Sequence, residues 1–274
     1  MKSKSLIITW ITACDYPIFR RWLKRHYSFF DEIIITWSEH FRHMKFDEFI
    51  EKSLSDIPNI KFIPFEEYEY GVYDWRNISS NRMLKHATGE WIISIEQDFI
   101  TKDWNKLFDA VTEASKTYEI LGFQGHQGQA SHQEPYLTGN YVHPALFFIK
   151  RSLLEKTSKD FSADPKRGAD HFGLITQDIE RMKIPIWYTQ EHGFTEAETL
   201  HQGSINHHYL NALETPGFNF HRGELFYIYN YYSIRVDVPQ DDKFMELMLK
   251  MDAKLKLMFP DIDPLTDSRS IFFK

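Results

Sequence analysis

Residues Trp91 to Ile95 (Trp-Ile-Ile-Ser-Ile) form a nearly unbroken apolar run that ends on two carboxylates, Glu96 and Asp98. A short run of this kind suits a strand covered on both faces, and such strands belong to parallel sheets with helices on either side. Glu96 and Asp98 then fall where the strand leaves the core. Two carboxylates at a strand exit are costly unless a cation shares them, and hard oxygen ligands favour magnesium or manganese over zinc. The plainer alternative is that they begin a solvated surface loop.

The flanking sequence repeats the strand theme. Leu6–Thr12 reads as a strand, Pro17–Tyr27 as a helix with proline in its first turn, and Glu32–Trp37 as a second strand. A polar helix is expected over 45–54, a strand over 60–63, and a short helix over 80–90 closed by Gly89. This β-α alternation predicts an α/β fold: a mostly parallel central sheet flanked by helices, with ligands beyond the carboxyl ends of the strands. Further along, a helix is expected from Trp104, strands over 120–123, 143–149 and 184–188, and a helix over 151–156. The glycine-dotted segment 124–140 reads as a long loop over the substrate side. An aromatic alternating run at 226–232 and a helical stripe of Phe244, Leu247, Met248, Met251, Leu255 and Met258 form a C-terminal extension. The expected division is a first domain over 1–215, in two halves (1–100 and 101–215), followed by the extension over 216–274. The stripe suits packing on its own domain better than peripheral membrane contact.

The chain has 274 residues, enough for a sizeable core. Its formal net charge of −7 argues against nucleic acid as a partner, because a phosphate backbone requires a basic face. A small anionic ligand would need local compensation, from a cation or from Arg76 or Arg82. A single cysteine, Cys14, excludes an internal disulfide framework and a multi-cysteine metal site, so a reducing, cytoplasmic setting is expected. No stretch reaches the roughly 18 apolar residues of a spanning helix.

Upstream of the apolar run lies Ser80-Asn81-Arg82-Met83-Leu84-Lys85-His86-Ala87-Thr88-Gly89-Glu90, and the whole segment through Asp98 resembles the Asn…Ala-x-Gly-Glu-(aromatic)-(apolar strand)-Asp-x-Asp pattern of GT-A glycosyltransferases, family 2 in particular. A second half follows in the same order. Asp170 precedes a helical stretch, Ile184–Tyr188 is strand-like, and His201-Gln202-Gly203-Ser204 is similar to the family's His-x-Gly-Ser setting. The resemblance spans roughly residues 5 to 210. It implies that Thr12, Asp15 and Glu39 hold the nucleoside and that Arg76 and Asn81 face the nucleotide. It further implies Asp98 as principal metal ligand, Glu96 as its support or a ribose contact, His201 as a third ligand and Asp170 as catalytic base. The activity so implied, with 1–100 as the nucleotide-binding half and 101–215 as the acceptor half, is transfer of a sugar from a nucleotide-sugar donor to a hydroxyl of a carbohydrate or glycolipid acceptor, with Mn²⁺ or Mg²⁺; a single displacement inverts the anomeric centre, and retention is the alternative because the sequence does not place the base on one face of the sugar.

Three departures stand out: Glu96 replaces the first Asp, Ser80 replaces the usual Arg, and no Glu precedes Asp170. An Asp at position 170 is also what helix capping alone would select. Two other readings compete. One is a non-catalytic carbohydrate-binding or scaffolding protein on the same fold. The other is a histidine-metal oxygenase or hydrolase using His201, His207 and His221, for which Asp98 would be irrelevant. A nucleotidyltransferase is disfavoured by the missing glycine-rich loop between Thr12 and Phe19.

Overall fold

The computed structural model describes residues 1–8, 16–36, 46–63, 75–96, 99–101, 103–126, 140–162, 171–194, 199–200 and 260–263. The first half alternates as the apolar periodicity requires: β1 (Lys4–Ile8), α1 (Tyr16–His26), β2 (Glu32–Ile35), α2 (Phe46–Ser53), β3 (Ile60–Phe62), α3 (Trp75–His86) and β4 (Trp91–Ile95). The second half adds β5 (Ile100–Thr101), α4 (Trp104–Ala114), β6 (Ile120–His126), β7 (Asn140–Lys150), α5 (Arg151–Leu154), α6 (Gly173–Arg181), β8 (Trp187–Tyr188) and β9 (Thr199–Leu200).

Seven strands form one sheet in the order β3-β2-β1-β4-β7-β6-β8, and β5 pairs with β9 separately. All neighbours in the large sheet are parallel except those of β7, which runs against both β4 and β6. The sheet is therefore mostly parallel and flanked by helices, as the alternation predicts.

Alternate residues of the central strands enter two cores. On one face Leu6, Ile8, Ile33, Ile35, Ile93 and Ile95 meet Phe19 and Leu23 of α1, Ile50 and Leu54 of α2, and Leu107 and Val111 of α4. On the other, Ile7, Ile34 and Ile92 meet Met83 of α3, Leu153 of α5 and Ile175 and Ile179 of α6. Every residue of β4 is buried.

The first core is strongly aromatic. Trp22, Trp104 and Phe108 surround His26, whose ring lies 5.9, 6.0 and 5.7 Å from theirs. Burial there, helped by the neighbouring charge of Arg25, lowers the imidazole pKa to about 4.

At the amino ends of the parallel strands a buried carboxylate ties four segments together. Glu32 Oε1 accepts from Ser5 Oγ of β1 and from the Thr88 and Gly89 N–H groups ahead of β4, while Lys61 Nζ of β3 donates to Oε2 at 2.9 Å. Burial alone would raise its pKa. The hydrogen bonds from Ser5, Thr88 and Lys61 outweigh that and lower it to about 2. Gly89 is required by this contact: a Cβ would meet Ser5 Oγ at 2.5 Å and Ser5 N at 2.7 Å. Its place in the sequence pattern thus reflects close approach between chains, rather than helix capping, since α3 has already ended at His86.

The boundaries differ from expectation in instructive places. α3 starts at Trp75 rather than near 80, because its Ser79 and Ser80 are buried polar residues that give no apolar stripe. β6 continues to His126 through Gly122 and Gly125, so 124–126 are strand and not loop. α6 begins at Gly173, with Phe172 in its capping position at φ 71°, three residues after Asp170. The aromatic run 226–232 and the stripe 244–258 lie outside the described residues, as does the expected boundary at 215.

Candidate functional site

β1 has β2 on one side and β4 on the other, so the chain order reverses between β1 and β4. A doubly wound sheet opens a crevice at such a switch point, beyond the carboxyl ends of its strands. The segments that leave those ends, 9–15 after β1 and 96–98 after β4, contain four of the expected site residues: Thr12, Asp15, Glu96 and Asp98.

The exit of β4 is held firmly. Glu96 N–H donates to the Ala145 carbonyl of β7 at 2.9 Å, and Phe99 N–H donates to the Glu96 carbonyl at 3.0 Å. These bonds fix the backbone of Glu96 and Phe99. Phe99 is anchored further, because its buried ring packs edge-on against Trp104 at 5.8 Å and Phe123 at 5.6 Å. Glu96 itself is half-buried.

Immediately beyond Phe99, β5 pairs antiparallel with β9: Ile100 opposes Leu200 and Thr101 opposes Thr199. His201 is the next residue after Leu200 in the chain, and Asp98 stands two before Ile100. This ladder joins the two halves of the sequence pattern, which lie about a hundred residues apart.

A cationic group stands on the neighbouring wall. Arg82 of α3 is buried and donates from a guanidinium nitrogen to Thr36 Oγ1 at 3.2 Å. Thr36 follows β2, and its N–H donates to the Ile8 carbonyl at the end of β1 at 3.0 Å. The guanidinium is thus fixed beside the carboxyl ends of β1 and β2. Asn81, one residue earlier, donates from Nδ2 to the Lys159 carbonyl at 3.2 Å, which ties α3 to the turn before α6.

The other expected site residues fall as follows. Thr12, Asp15, Glu39, Asp98, Asp170 and His201 lie outside the described residues, and Arg76 is described only as part of the α3 backbone. The capping position of α6 is held by Phe172, two residues after Asp170 in the chain. His207 and His221 are also outside the described residues, whereas His192 stacks on Trp187 at 4.5 Å. Among the described residues no three metal-binding side chains cluster, and no helix is long and apolar enough to cross a membrane. Arg82 was recognisable in the sequence only as a charge near the motif; its burial at Thr36 depends on α3 lying across the ends of β1 and β2.

No protein-family model matches the sequence, and no curated protein does. Similar solved structures include a 4-diphosphocytidyl-2C-methyl-D-erythritol synthase from Anaerococcus prevotii, with a TM-score of 0.45 at 12% identity over 68% of this chain and 88% of that one. The mannosyltransferase PcManGT from Pyrobaculum calidifontis, in complex with GDP-Man and Mn²⁺, gives 0.41 at 12% identity over 95% and 88%. S. aureus TarS 1-349 in complex with UDP gives 0.39 at 16% identity over 61% and 53%. Scores and identities this low do not carry the assignment; the fold class rests on the strand order itself.

Proposed function

We propose that the chain is a glycosyltransferase that moves a sugar from a nucleotide-sugar donor to a hydroxyl acceptor at the crevice beyond β1 and β4. The observation that carries the reading is the β5–β9 ladder. Three peptide links and one interstrand spacing separate Asp98 from His201, so their Cα atoms lie within about 17 Å of one another whatever path the chain takes. This supports the reading of the two positions, from separate halves of the sequence, as ligands of one cation.

The donor set of Glu96, Asp98 and His201 offers carboxylate oxygens with one imidazole, which suits Mn²⁺ or Mg²⁺. A cation bound there would offset the negative charge gathering on the departing diphosphate. Arg82 adds a fixed positive charge on the wall formed by β1 and β2, with Arg76 six residues earlier in the same helix. Thr12, Asp15 and Glu39, which follow β1 and β2, would hold the nucleoside. Asn81 would border that pocket while its amide remains bound to Lys159.

Asp170 is assigned as base. It would take the proton of the acceptor hydroxyl as that oxygen bonds to the anomeric carbon and the bond to the diphosphate oxygen breaks. With the base on the face opposite the leaving group, this single displacement inverts the anomeric centre. The products are a glycosylated carbohydrate or glycolipid, as in the making of cell-surface polysaccharide, and a nucleoside diphosphate.

Thermal-shift measurements against UDP-, GDP-, CMP- and dTDP-sugars, each with and without Mn²⁺, test this directly. One nucleotide should stabilise the protein in a metal-dependent way. Asp98→Ala should remove that shift, whereas Asp170→Asn should keep it and lose turnover. A protein that no sugar nucleotide stabilises would favour the scaffolding alternative, and normal turnover in both variants would end the assignment.

A further inference from the structure

The helix α1 buries two arginines. Arg21 is fully buried and Arg20 nearly so. A buried guanidinium is tolerated only with hydrogen-bond acceptors close at hand. Here acceptors come from the far end of the chain: Arg20 donates to the Asp263 carbonyl at 2.6 Å and Arg21 to the Ile262 carbonyl at 3.0 Å. Arg25, one turn further along the same helix, pairs with the Asp261 carboxylate. Ile262 lies buried between these contacts.

Three cationic side chains on one helix thus grip three successive residues more than 230 positions away. Two of the grips are on main-chain carbonyls, which makes them bonds to a peptide in a set conformation, with Ile262 as the apolar plug. Charge-assisted bonds of this kind are among the stronger ones.

The location gives the contact a consequence. α1 starts at Tyr16, directly after Asp15, so its first turns adjoin the segment leaving β1 at the switch point. Arg20 and Arg21 sit only about 6–8 Å along the helix from that start, at 1.5 Å per residue. The tail therefore grips α1 from its second turn, at Arg20 and Arg21, to its last, at Arg25.

We propose that residues 261–263 are a clasp that fixes α1, the helix that follows Asp15 in the chain, so that seating of the tail sets nucleotide affinity. Arg20, Arg21 and Ile262 are positioning residues. The link to affinity rests on the nucleotide-binding reading of Asp15; the clasp itself does not. It also ties the chain to the domain three residues after Met258, the last member of the C-terminal apolar stripe.

The test uses the full chain with Ile262→Ala and with Ile262→Lys, the latter adding a fourth cation beside three arginines. Amide hydrogen exchange of α1 is followed without ligand, and affinity for UDP and GDP with MnCl₂ is measured alongside. Losing the packing of the buried Ile262 side chain should raise α1 exchange about tenfold or more. Nucleotide affinity should fall by a similar factor, and a synthetic peptide of residues 257–267 supplied in excess should restore both. Exchange of α1 that is the same in all three proteins would overturn the clasp. Faster exchange with unchanged affinity would overturn the positioning role. If the wild-type protein binds neither diphosphate, the nucleotide reading fails, and the exchange measurement still decides whether the clasp exists.

Discussion

Replacing Glu32 by Gln should weaken the fold in a way that depends on pH, and the size of the effect follows from the structure. The carboxylate ties β1, β2, β3 and the approach to β4, and its pKa is about 2 against an ordinary value of 4.5. At about 1.4 kcal/mol per unit this corresponds to roughly 3 kcal/mol of preference for the ionised form. Lys61 is half exposed, so its share is screened and about 2 kcal/mol is the better expectation. A lowered carboxylate pKa stabilises the fold above the unfolded-state value near 4.5, and this contribution disappears as pH falls through 4.5 toward 2. Glutamine keeps one oxygen for Ser5, Thr88 and Gly89, but turns an N–H₂ toward Lys61 and cannot ionise. Urea unfolding of both proteins from pH 7 to pH 3 measures the difference, which cancels all other titrating groups. It should be about 2 kcal/mol at pH 7 and shrink steadily below pH 4.5. A gap that is absent, or that stays constant down to pH 3, would refute the reasoning.

Gly89→Ala should cost about 1–3 kcal/mol in the same unfolding assay, because the new Cβ would meet Ser5 N, a backbone atom, at 2.7 Å. His26 should contribute acid sensitivity of its own: with its pKa lowered to about 4, the unfolded chain binds the proton first, so stability falls as pH drops from 6.5 toward 4. His26→Phe should flatten that part of the profile, as unfolding at several pH values would show. Phe99→Leu should cost about 1 kcal/mol and, by loosening the anchor next to Asp98 in the chain, weaken the Mn²⁺-dependent thermal shift beyond what that loss explains. An unchanged metal response would separate Phe99 from the site.

The first half of the fold was legible because β1, β2 and β4 are continuous apolar runs separated by helices, a pattern few arrangements other than a parallel sheet can bury. The direction of β7 was not legible, since a strand covered on both faces looks the same read either way. Gly125 suggested a loop, yet it lies in β6; a Cβ there would meet Tyr141 Cζ at 2.5 Å, so close strand packing selects the glycine. Nothing local marks Glu32, at the start of a strand, or Arg20 and Arg21, within a helix, as buried. Their burial depends on partners far along the chain, Thr88 and Gly89 in one case and Ile262 and Asp263 in the other, and local periodicity contains no trace of such partners. Of the site, the acidic exit of β4 was visible, as was the order of its two halves. The β5–β9 pairing that brings the halves together was not, because two-residue strands leave no period to detect.

The central claim is that Asp98 and His201 share one cation at the lip of the sheet. A titration of the protein with Mn²⁺ in the presence of UDP or GDP, followed by the electron paramagnetic resonance signal of free manganese, tests it most directly. The account predicts one tightly held ion per chain in the wild type, lost in Asp98→Ala and in His201→Ala alike. Manganese that stays free with both nucleotides, or that binds equally well to all three proteins, would contradict it.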